Sequence, residues 1–491
     1  MYAITRVSKR NARNALSVSR DPTLLAAPLQ FSAVMTHTTR GIFLILSVSL
    51  APCVARAQDQ PQAAPQGNPE RKEIGLPSKI KWPFNLDAGW GTFGFGNSLF
   101  DNPKERSVIE NLSDQWFEGY IKPALSGVYT FESSSEIYGK VSGVGERTYG
   151  SVPLVFGQDV SSFQAEDLYI GWRSGKSLRA GENVLDFSVG REQYRLGHGF
   201  LIYDGAAEGG SRGGYWTNAR KAFEFAAVGK FNPGPHKLEA FYLDKDELEE
   251  ADSGSRLNGL NYEYTIGAEK ETTLAATYMR WFAHADMRPG RDGLEVFNGR
   301  AYTAPFPRFT DLSFELEYAR ERNGDILDST AWTAQGSYQL SSVVWKPKLT
   351  YRYASFEGDD PATEQNEAFD PLFPGFYDWG TWWQGEIAGE YFLMNSNLKS
   401  HLIRAHLQPN DAISGGLLFF KFRLDHPESY APNVTSTDAA FEIDAYTDWK
   451  VNANFTLSLI GAYAKPGEAV QQFTGRTKKF VYGMAYIAYS Y

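Results

Sequence analysis

The stretch GLLFFKFRLDH, residues 416–426, alternates between two kinds of side chain. One parity carries Leu418, Phe420, Phe422 and Leu424. The other parity carries Phe419, Lys421, Arg423 and Asp425. A period of two sustained over a whole stretch is the signature of a β-strand with two different faces. We therefore predict a strand here, with the Leu418 parity on an apolar surface and the Lys421 parity facing water.

The same alternation recurs along most of the chain, for example in WTAQGSYQL (332–340), HLIRAHLQ (401–408) and FEIDAYTDWKV (441–451). Turn-forming clusters separate the segments. The alternating segments and the turns between them predict an all-β protein of about 18 antiparallel strands. One of these predicted strands is 380–393, and the stretch DAGWGTFGFG, 87–96, is a candidate for one more.

The outward side chains favour a membrane barrel over a soluble sandwich or propeller. Apolar and aromatic residues fill one parity, while charges stand in mid-strand on the other. A closed barrel in a bilayer requires this arrangement, with lipid outside and a wet lumen inside. Aromatics near predicted strand ends, such as Trp281, Trp382 and Trp383, are typical of an interfacial girdle. No blade-length repeat supports a propeller. We predict a single transmembrane β-barrel in the outer membrane of a Gram-negative bacterium, surrounded by lipid and lipopolysaccharide.

The amino terminus resembles a secretory signal. Arg40 precedes the uncharged run GIFLILSVSLAPCVA (41–55), and small residues at Ala55 and Ala57 fit signal-peptidase cleavage. The run is short for a spanning helix. We predict an extension and signal peptide over 1–57, a flexible leader over 58–80, and the barrel over 81–491. The only cysteine, Cys53, falls in the signal.

Charge and motif content exclude several functions. The net charge of −10 argues against a nucleic-acid partner. No histidine stands in a metal-binding pattern, and no nucleophile motif occurs. An outer-membrane phospholipase would carry serine two residues after His198, where this chain has Phe200. We therefore predict no enzyme, no cofactor and no metal, although a carboxylate pair formed only in space would escape a sequence search.

Basic residues on the polar parity of several strands predict a charged pathway through the barrel. A ring of Arg and Lys attracts and filters anions. The candidates from strand parity are Arg280, Arg352, Arg404, Lys421 and Arg423. Carboxylates available to pair with them are Glu224, Glu315, Glu442 and Asp444. Pairing across the lumen would give these arginines a structural role instead, and parity alone leaves both interpretations open.

Three stretches resemble the alginate export family of outer-membrane proteins: VGREQYRLGHGFLI (189–202), NARKAFEFAAV (218–228) and NEAFDPLFPGFYDWG (366–380). They occur in the family's order, and the resemblance extends from about residue 85 onward. It implies a large barrel that passes anionic polysaccharide through a lumen narrowed by charged residues and loops. Arg191, Arg195 and Arg220 match basic residues of these motifs.

Together these observations predict a monomeric channel for passive export or uptake of an anionic polysaccharide or another acidic solute. A general or hydrophobic-compound diffusion porin on the same barrel is the alternative, and an outer-membrane hydrolase is a third. The final segment, FVYGMAYIAYSY (480–491), places Val481, Ala485, Ile487 and Tyr489 on one parity. We expect this strand to face lipid, to close the barrel and to engage the barrel-assembly machinery.

Overall fold

A computed structural model of the chain describes residues 80–102, 113–154, 159–267, 272–304, 311–375 and 383–491. The predicted signal peptide and nearly all of the leader lie outside the described residues. A two-residue strand, β1 (Ile80–Lys81), pairs with the third strand. The barrel strands are β2 Phe84–Gly96, β3 Asp114–Thr130, β4 Glu136–Gly150, β5 Val160–Arg173, β6 Leu185–Arg191, β7 Phe225–Phe231, β8 His236–Asp244, β9 Arg256–Ile266, β10 Thr272–Phe282, β11 Glu295–Thr303, β12 Leu312–Asn323, β13 Leu327–Gln339, β14 Lys348–Phe356, β15 Leu398–Leu407, β16 Ile413–Leu424, β17 Asp438–Lys450, β18 Phe455–Pro466 and β19 Phe480–Ser490.

These eighteen strands form one closed antiparallel barrel. Each strand from β2 to β19 pairs with its neighbour in sequence, and β19 pairs with β2 to complete the circle. The seam continues beyond the ladder, because the Leu86 amide donates to the Tyr491 carbonyl and the Tyr491 amide donates to the Leu86 carbonyl. Closure leaves no unpaired sheet edge, which a bilayer would penalise. The predicted fold class and strand number are confirmed.

The two ends of the barrel differ in their connections. At the end where β2 begins and β19 ends, connections such as 131–135, 232–235 and 451–454 are short. At the opposite end the connections include 192–224 and 357–397. We call these ends the short-turn end and the long-loop end. In bacterial outer-membrane barrels the short turns face the periplasm and the long loops face the medium.

The described parts of both long connections fold back into the barrel. In the 192–224 segment Leu201, Ile202 and Phe223 are fully buried, and in the 357–397 segment Leu372 and Ile387 are fully buried. The second segment contains one π-helical turn, Ala388–Phe392. Short helices, Pro427–Tyr430 and Glu468–Thr474, stand in other long-loop connections. Among the described residues, no helix has the length and apolar character needed to cross a bilayer.

The strands bury one parity and expose the other. On β14, Thr350, Arg352 and Ala354 are buried, whereas Leu349 and Tyr351 are about half exposed. On β5, Phe163 is 72% exposed. Exposed aliphatic and aromatic side chains on strand after strand form the apolar outer surface that lipid would cover. The inner parity packs against the two inward-folded segments, so that the core of the molecule lies inside the barrel.

The structure reverses the predicted faces of β16. Leu418, Phe420 and Phe422 point into the barrel and are fully buried, while Lys421 and Arg423 lie on the outer parity with Phe419. The physical reason is that the inward-folded segments make this part of the lumen apolar. Both faces of β16 are therefore apolar in its middle, and the charges stand at its long-loop end, where the outer surface leaves the apolar band.

The predicted strand 380–393 is also wrong. Its described part, from residue 383 onward, consists of turns and the π-helical turn, and it lies in the lumen. The candidate stretch 87–96 is a strand, as part of β2. Trp281 and Trp383, predicted for an interfacial girdle, are buried inside the barrel. Trp382 lies outside the described residues.

The closing strand β19 has the predicted faces. Val481 is exposed on the outer parity, and Tyr482, Met484 and Tyr486 are buried on the inner one. The inner face carries no charge because it packs on aromatic rings of the lumen. The ring of Tyr486 lies 5.0 Å from that of Trp216, which belongs to the 192–224 segment.

Candidate functional site

The two inward-folded segments bind each other across the lumen. The Tyr203 amide donates to the Phe373 carbonyl at 2.8 Å, and the Phe373 amide donates to the Leu201 carbonyl at 3.0 Å. The Gly375 amide donates to the Gly199 carbonyl at 2.8 Å. These bonds form a short parallel bridge between connections that are far apart in sequence. The bridge joins the first and third of the stretches that resemble the alginate export family.

Buried carboxylates on the barrel wall hold the irregular backbone of these segments. Glu118 of β3 accepts the amides of Trp216 and Thr217, both at 2.9 Å. Glu442 of β17 accepts the amides of Ile387 and Ala388 at 2.8 and 2.7 Å. A buried amide without a partner is costly, and the lumen strands supply carboxylates in place of a ladder. Wall charges of this kind have a structural role.

Asp246 gathers three of the basic side chains of the lumen. The guanidinium of Arg212 donates to its carboxylate at 2.8 Å, and Arg191 and Arg220 also bind it. Arg220 is 1% exposed and lies 3.7 Å from Glu166. This arginine cluster is neutralised by carboxylates and fixes the 192–224 segment to the wall. Two of the three residues that match the family motifs, Arg191 and Arg220, thus belong to a structural network.

A cavity of about 240 Å³ remains open in the lumen beside the segments. Its lining comes from strands β11 to β15 and from both inward-folded segments: His198, Phe200, Tyr302, Glu315, Leu316, Glu317, Thr333, Gln335, Lys348, Thr350, Arg352, Trp383 and Arg404. Charged and aromatic side chains dominate this surface. We take it as the candidate substrate pathway.

Three cations stand together on one side of the cavity. Lys348, Thr350 and Arg352 occupy successive inner positions of β14, and Arg404 of β15 pairs in register with Thr350. The Arg352 guanidinium lies over the Trp383 ring, 3.7 Å from its centroid, and donates to the Trp383 carbonyl. This contact fixes Arg352 against the 357–397 segment.

Two carboxylates face these cations from the other side. Glu315 and Glu317 occupy successive inner positions of β12, and β13, which presents only uncharged side chains to the cavity, separates them from β14. Gln335 of β13 pairs with both Glu315 and Arg352. With strands spaced about 4.8 Å apart, the charged walls are roughly 10 Å from each other at their backbones. An electric field therefore crosses the cavity from the basic wall to the acidic wall.

His198 links the 192–224 segment to the acidic wall. Its Nδ1 atom lies 3.2 Å from a carboxylate oxygen of Glu315, and its ring stacks on Tyr302 with centroids 4.0 Å apart. Phe200 reaches toward the basic wall, where its ring lies 6.1 Å from that of Trp383. The segment thus contributes side chains to both sides of the cavity.

The structure divides the predicted lumen residues into four groups. Those that line the cavity are Arg352, Arg404 and Glu315. Those that serve as structural anchors inside the barrel are the half-buried Arg191 and the buried Arg220, Glu442 and Asp444. Those exposed outside the strands are Arg195, on the 192–224 segment, and Glu224, directly before β7. Those on the outer face of the barrel are Arg280, Lys421 and Arg423.

The last group corrects the prediction. Arg280 shares its parity with Leu274 and Tyr278, because the inner positions of β10 hold Met279 and Trp281. Like β16, this strand has apolar side chains on both faces near its long-loop end. The alternation therefore did not identify the lumen face of either strand. Arg280, Lys421 and Arg423 lie on the outer face near the long-loop end.

Several residues of the site were not predicted from the sequence, among them Lys348, Trp383 and His198. Lys348 begins β14, and its place two positions before Thr350 on the parity of Arg352 could have identified it. Trp383 and His198 lie on irregular segments, where no periodicity indicates which way a side chain points.

A separate group of side chains lies at the long-loop end. Asp360, His426 and Glu428 place potential metal-ligand atoms within 4.8 Å of one another.

Comparisons with known proteins agree with this architecture. A sequence model of the family described as alginate export matches residues 157–484. Similar solved structures include a BenF-like porin from Pseudomonas fluorescens Pf-5 (TM-score 0.55, 12% identity, 84% of this chain and 98% of that one). Pseudomonas aeruginosa OccK8 (OprE) gives a TM-score of 0.53 at 10% identity, over 84% and 98% of the two chains.

Another Pseudomonas aeruginosa protein, OccK2 (OpdF), gives a TM-score of 0.53 at 11% identity, with 83% of this chain and 97% of that chain covered. At such identities these likenesses concern the fold. The search of curated proteins found no match. The sequence match spans most of the barrel and includes both lumen segments. The chain therefore belongs to the alginate export family and is a channel of the Gram-negative outer membrane, not an enzyme.

Proposed function

We propose that the channel passively conducts acidic solutes, with sugar acids and acidic polysaccharides as the class that the family suggests. The observation that carries this proposal is the group of Lys348, Arg352 and Arg404 on adjacent strands of the cavity wall. Arginine binds carboxylates through two parallel hydrogen bonds, and its charge is permanent. Clustered cations in a confined pathway lower the barrier for anions.

The opposite wall supports selection of solutes that also carry hydroxyl groups. Glu315 and Glu317 accept hydrogen bonds, and Gln335 and Thr333 between the walls offer uncharged polar groups. A uronic acid unit presents a carboxylate to the basic wall and hydroxyls to the acidic wall. A polymer of such units repeats the same pattern, so its units can pass the cavity one after another.

Ion selectivity in planar bilayers tests the proposal. We expect the native channel to prefer anions in a salt gradient, and the preference to weaken at high ionic strength because the charges are screened. Replacing Lys348, Arg352 and Arg404 with alanine should shift the reversal potential toward cation selectivity. Lys421→Ala with Arg423→Ala is the matched control, because these cations lie outside the barrel and should leave the reversal potential unchanged.

Solute passage provides the second readout. An oligomer of uronic acid should block the ion current of the native channel more strongly than a neutral oligosaccharide of equal length, and the triple variant should lose that difference. Equal block by both oligosaccharides, or an anion preference that survives the triple substitution, would contradict the proposal.

A hydrophobic-compound porin is the second candidate, favoured by the aromatic rings beside Arg352. Phe200 lies 5.6 Å from Phe356, and Phe356 lies 6.0 Å from Trp383, between ring centroids. Liposome uptake of benzoate and of benzyl alcohol separates the two functions. Faster uptake of the alcohol, with a loss on Phe200→Ala, would favour the hydrophobic route. Faster uptake of benzoate, with a loss on Arg404→Ala, supports the acidic route.

A further inference from the structure

The outer face of β15 to β19 carries a cluster of cations at the long-loop end. Its members are Lys399, Lys421, Arg423, Lys465 and Lys479. We call them the outer basic patch. Lys421 and Lys465 both pair in register with Phe441, so they stand at the same height on either side of β17. Arg423 pairs directly with Lys399 on β15.

Carboxylates neutralise only part of this patch. Lys399 binds Asp425, and Lys421 binds Asp438. Asp438 also pairs in register with Arg423, so that one carboxylate stands between two cations. Within the described ranges, no carboxylate forms an ion pair with Arg423, Lys465 or Lys479, and all three are exposed. Like charges opposite one another on neighbouring strands destabilise a sheet. Arg423 stands opposite Lys399, so an external anion beside Arg423 would stabilise this part of the sheet.

The patch begins where the apolar band ends. Two residues toward the short-turn end from Lys421, Lys465 and Lys479 stand Phe419, Tyr463 and Val481. Phe419 and Val481 are exposed on the outer face, and the Lys479 ammonium lies 5.1 Å from the centroid of the Tyr463 ring. At about 3.3 Å per residue, the cations lie within roughly 7 Å of lipid-facing side chains. This is the depth of lipid headgroups.

Three cations elsewhere on the same rim lie opposite carboxylates. Arg256 pairs in register with Asp244, and Arg280 pairs with Glu295. Arg320 binds Asp328 through two hydrogen bonds. Lys465 of the outer basic patch differs from these three cations, because it lies opposite Phe441 on β17.

We propose that the outer basic patch binds the phosphorylated headgroup of a lipid A-type glycolipid in the outer leaflet. The long-loop end faces the medium, so the patch lies in that leaflet. Phosphate groups at headgroup depth complement the three unneutralised cations, while acyl chains cover Phe419 and Val481. Each basic residue near an anionic membrane surface contributes roughly a five-fold gain in affinity.

Lipid retention by the full-length protein in a neutral detergent tests this assignment. Lipid A with two phosphates, monophosphoryl lipid A and phosphatidylcholine are added in turn, and bound lipid per barrel is measured by native mass spectrometry. Retention should fall in that order for the unaltered protein. The variant Arg423→Gln/Lys465→Gln/Lys479→Gln should bind bisphosphorylated lipid A on the order of a hundredfold more weakly.

The control variant is Arg256→Gln/Arg280→Gln/Arg320→Gln, which removes the same charge from balanced positions of the rim. Retention of lipid A by the control should equal that of the native barrel. Equal loss in both variants, or equal retention of all three lipids by the native protein, would overturn the proposal. Displacement of lipid A by inorganic phosphate would also overturn it, because the site would then select a soluble anion. The lipid comparison on unaltered protein holds even if the triple variant fails to fold.

Discussion

Gly199 brings the two lumen segments into hydrogen-bond contact. Its φ of 85° lies in the left-handed region, and a Cβ there would meet the Gly375 carbonyl oxygen at 1.7 Å. A positive φ would destabilise alanine at this position by about 1–2 kcal/mol, and its Cβ would also push Gly375 away. We predict that Gly199→Ala separates the segments and raises single-channel conductance.

Gly234→Ala is the matched control for this substitution. Gly234 has a φ of 65° and no atom within 4 Å of an added Cβ, so it shares the conformational cost without the clash. It stands in a short turn at the opposite end of the barrel. We expect native conductance from Gly234→Ala. Native conductance from Gly199→Ala as well would show that the bridge does not limit the current.

We predict that the titration of Glu208 makes the conductance of the channel depend on pH. Burial, and next the charge of Glu146, raise the pKa of Glu208 well above its ordinary value, and Glu166 adds to this while Arg220 opposes it. For a carboxyl with a raised pKa, the stabilising contribution is complete below about pH 4.5 and is lost as the pH rises through the raised pKa. We predict that the 192–224 segment loosens, and that conductance rises, as the pH increases from about 4.5 through the raised pKa of Glu208.

Glu208→Gln keeps the side chain neutral at every pH and should flatten this rise. Glu250→Gln is the control. Although burial opposes it, hydrogen bonds from its own amide and from Ser211 hold the pKa of Glu250 below its usual range. Its substitution should leave the rise in place. An unaltered pH profile in Glu208→Gln would show that another group controls the segment.

At the scale of the strand, periodicity identified most elements but did not always identify their faces. On β17, Glu442 and Asp444 alternate with Phe441 and Ile443, and the predicted faces are correct. On β16 the middle is apolar on both sides, so the rule that charges face the lumen fails. The lumen is itself a packed core wherever the inward-folded segments fill it, and sequence alone does not reveal where that filling occurs.

Labelling on β16 tests the corrected faces. Cys53 is the only native cysteine, so Phe419→Cys and Leu418→Cys each introduce one label site into the barrel. A fluorophore on Cys at 419 should be strongly quenched by spin-labelled lipid, because this position faces outward. One at 418 should react slowly and resist quenching, because Leu418 is fully buried inside. Stronger quenching at 418 would restore the original assignment.

The irregular lumen segments were beyond sequence prediction for a physical reason. Their backbone amides are satisfied by wall carboxylates such as Glu118 and Glu442, which lie far away in sequence. The stretch 380–393 combines aromatic and apolar residues that suit a lipid-facing strand equally well. Only the family resemblance pointed to 189–202 and 366–380 as special, and their described parts supply the bridge between the segments.

At the scale of the molecule, strand pairing and lumen filling are separable. β6 and β7 pair directly through Leu185 and Phe231, so closure of the barrel does not depend on the connection between them. An eighteen-stranded barrel without a filled lumen is wide enough for an aqueous channel. We predict that replacing residues 206–218 with a short Gly-Ser linker preserves the barrel and raises conductance several-fold.

The same replacement should weaken ion selectivity, because ions can then pass far from the basic wall. Heat-modifiable migration on gels reports whether the barrel has folded, and planar-bilayer recording gives the conductance. Deletion of 361–364, an exposed turn of the other long connection, removes loop residues without opening the lumen and should leave conductance near the native value. A folded 206–218 variant with native conductance would mean that the retained residues 192–205 and the 357–397 segment limit the pathway, because they still line the cavity through Phe200 and Trp383.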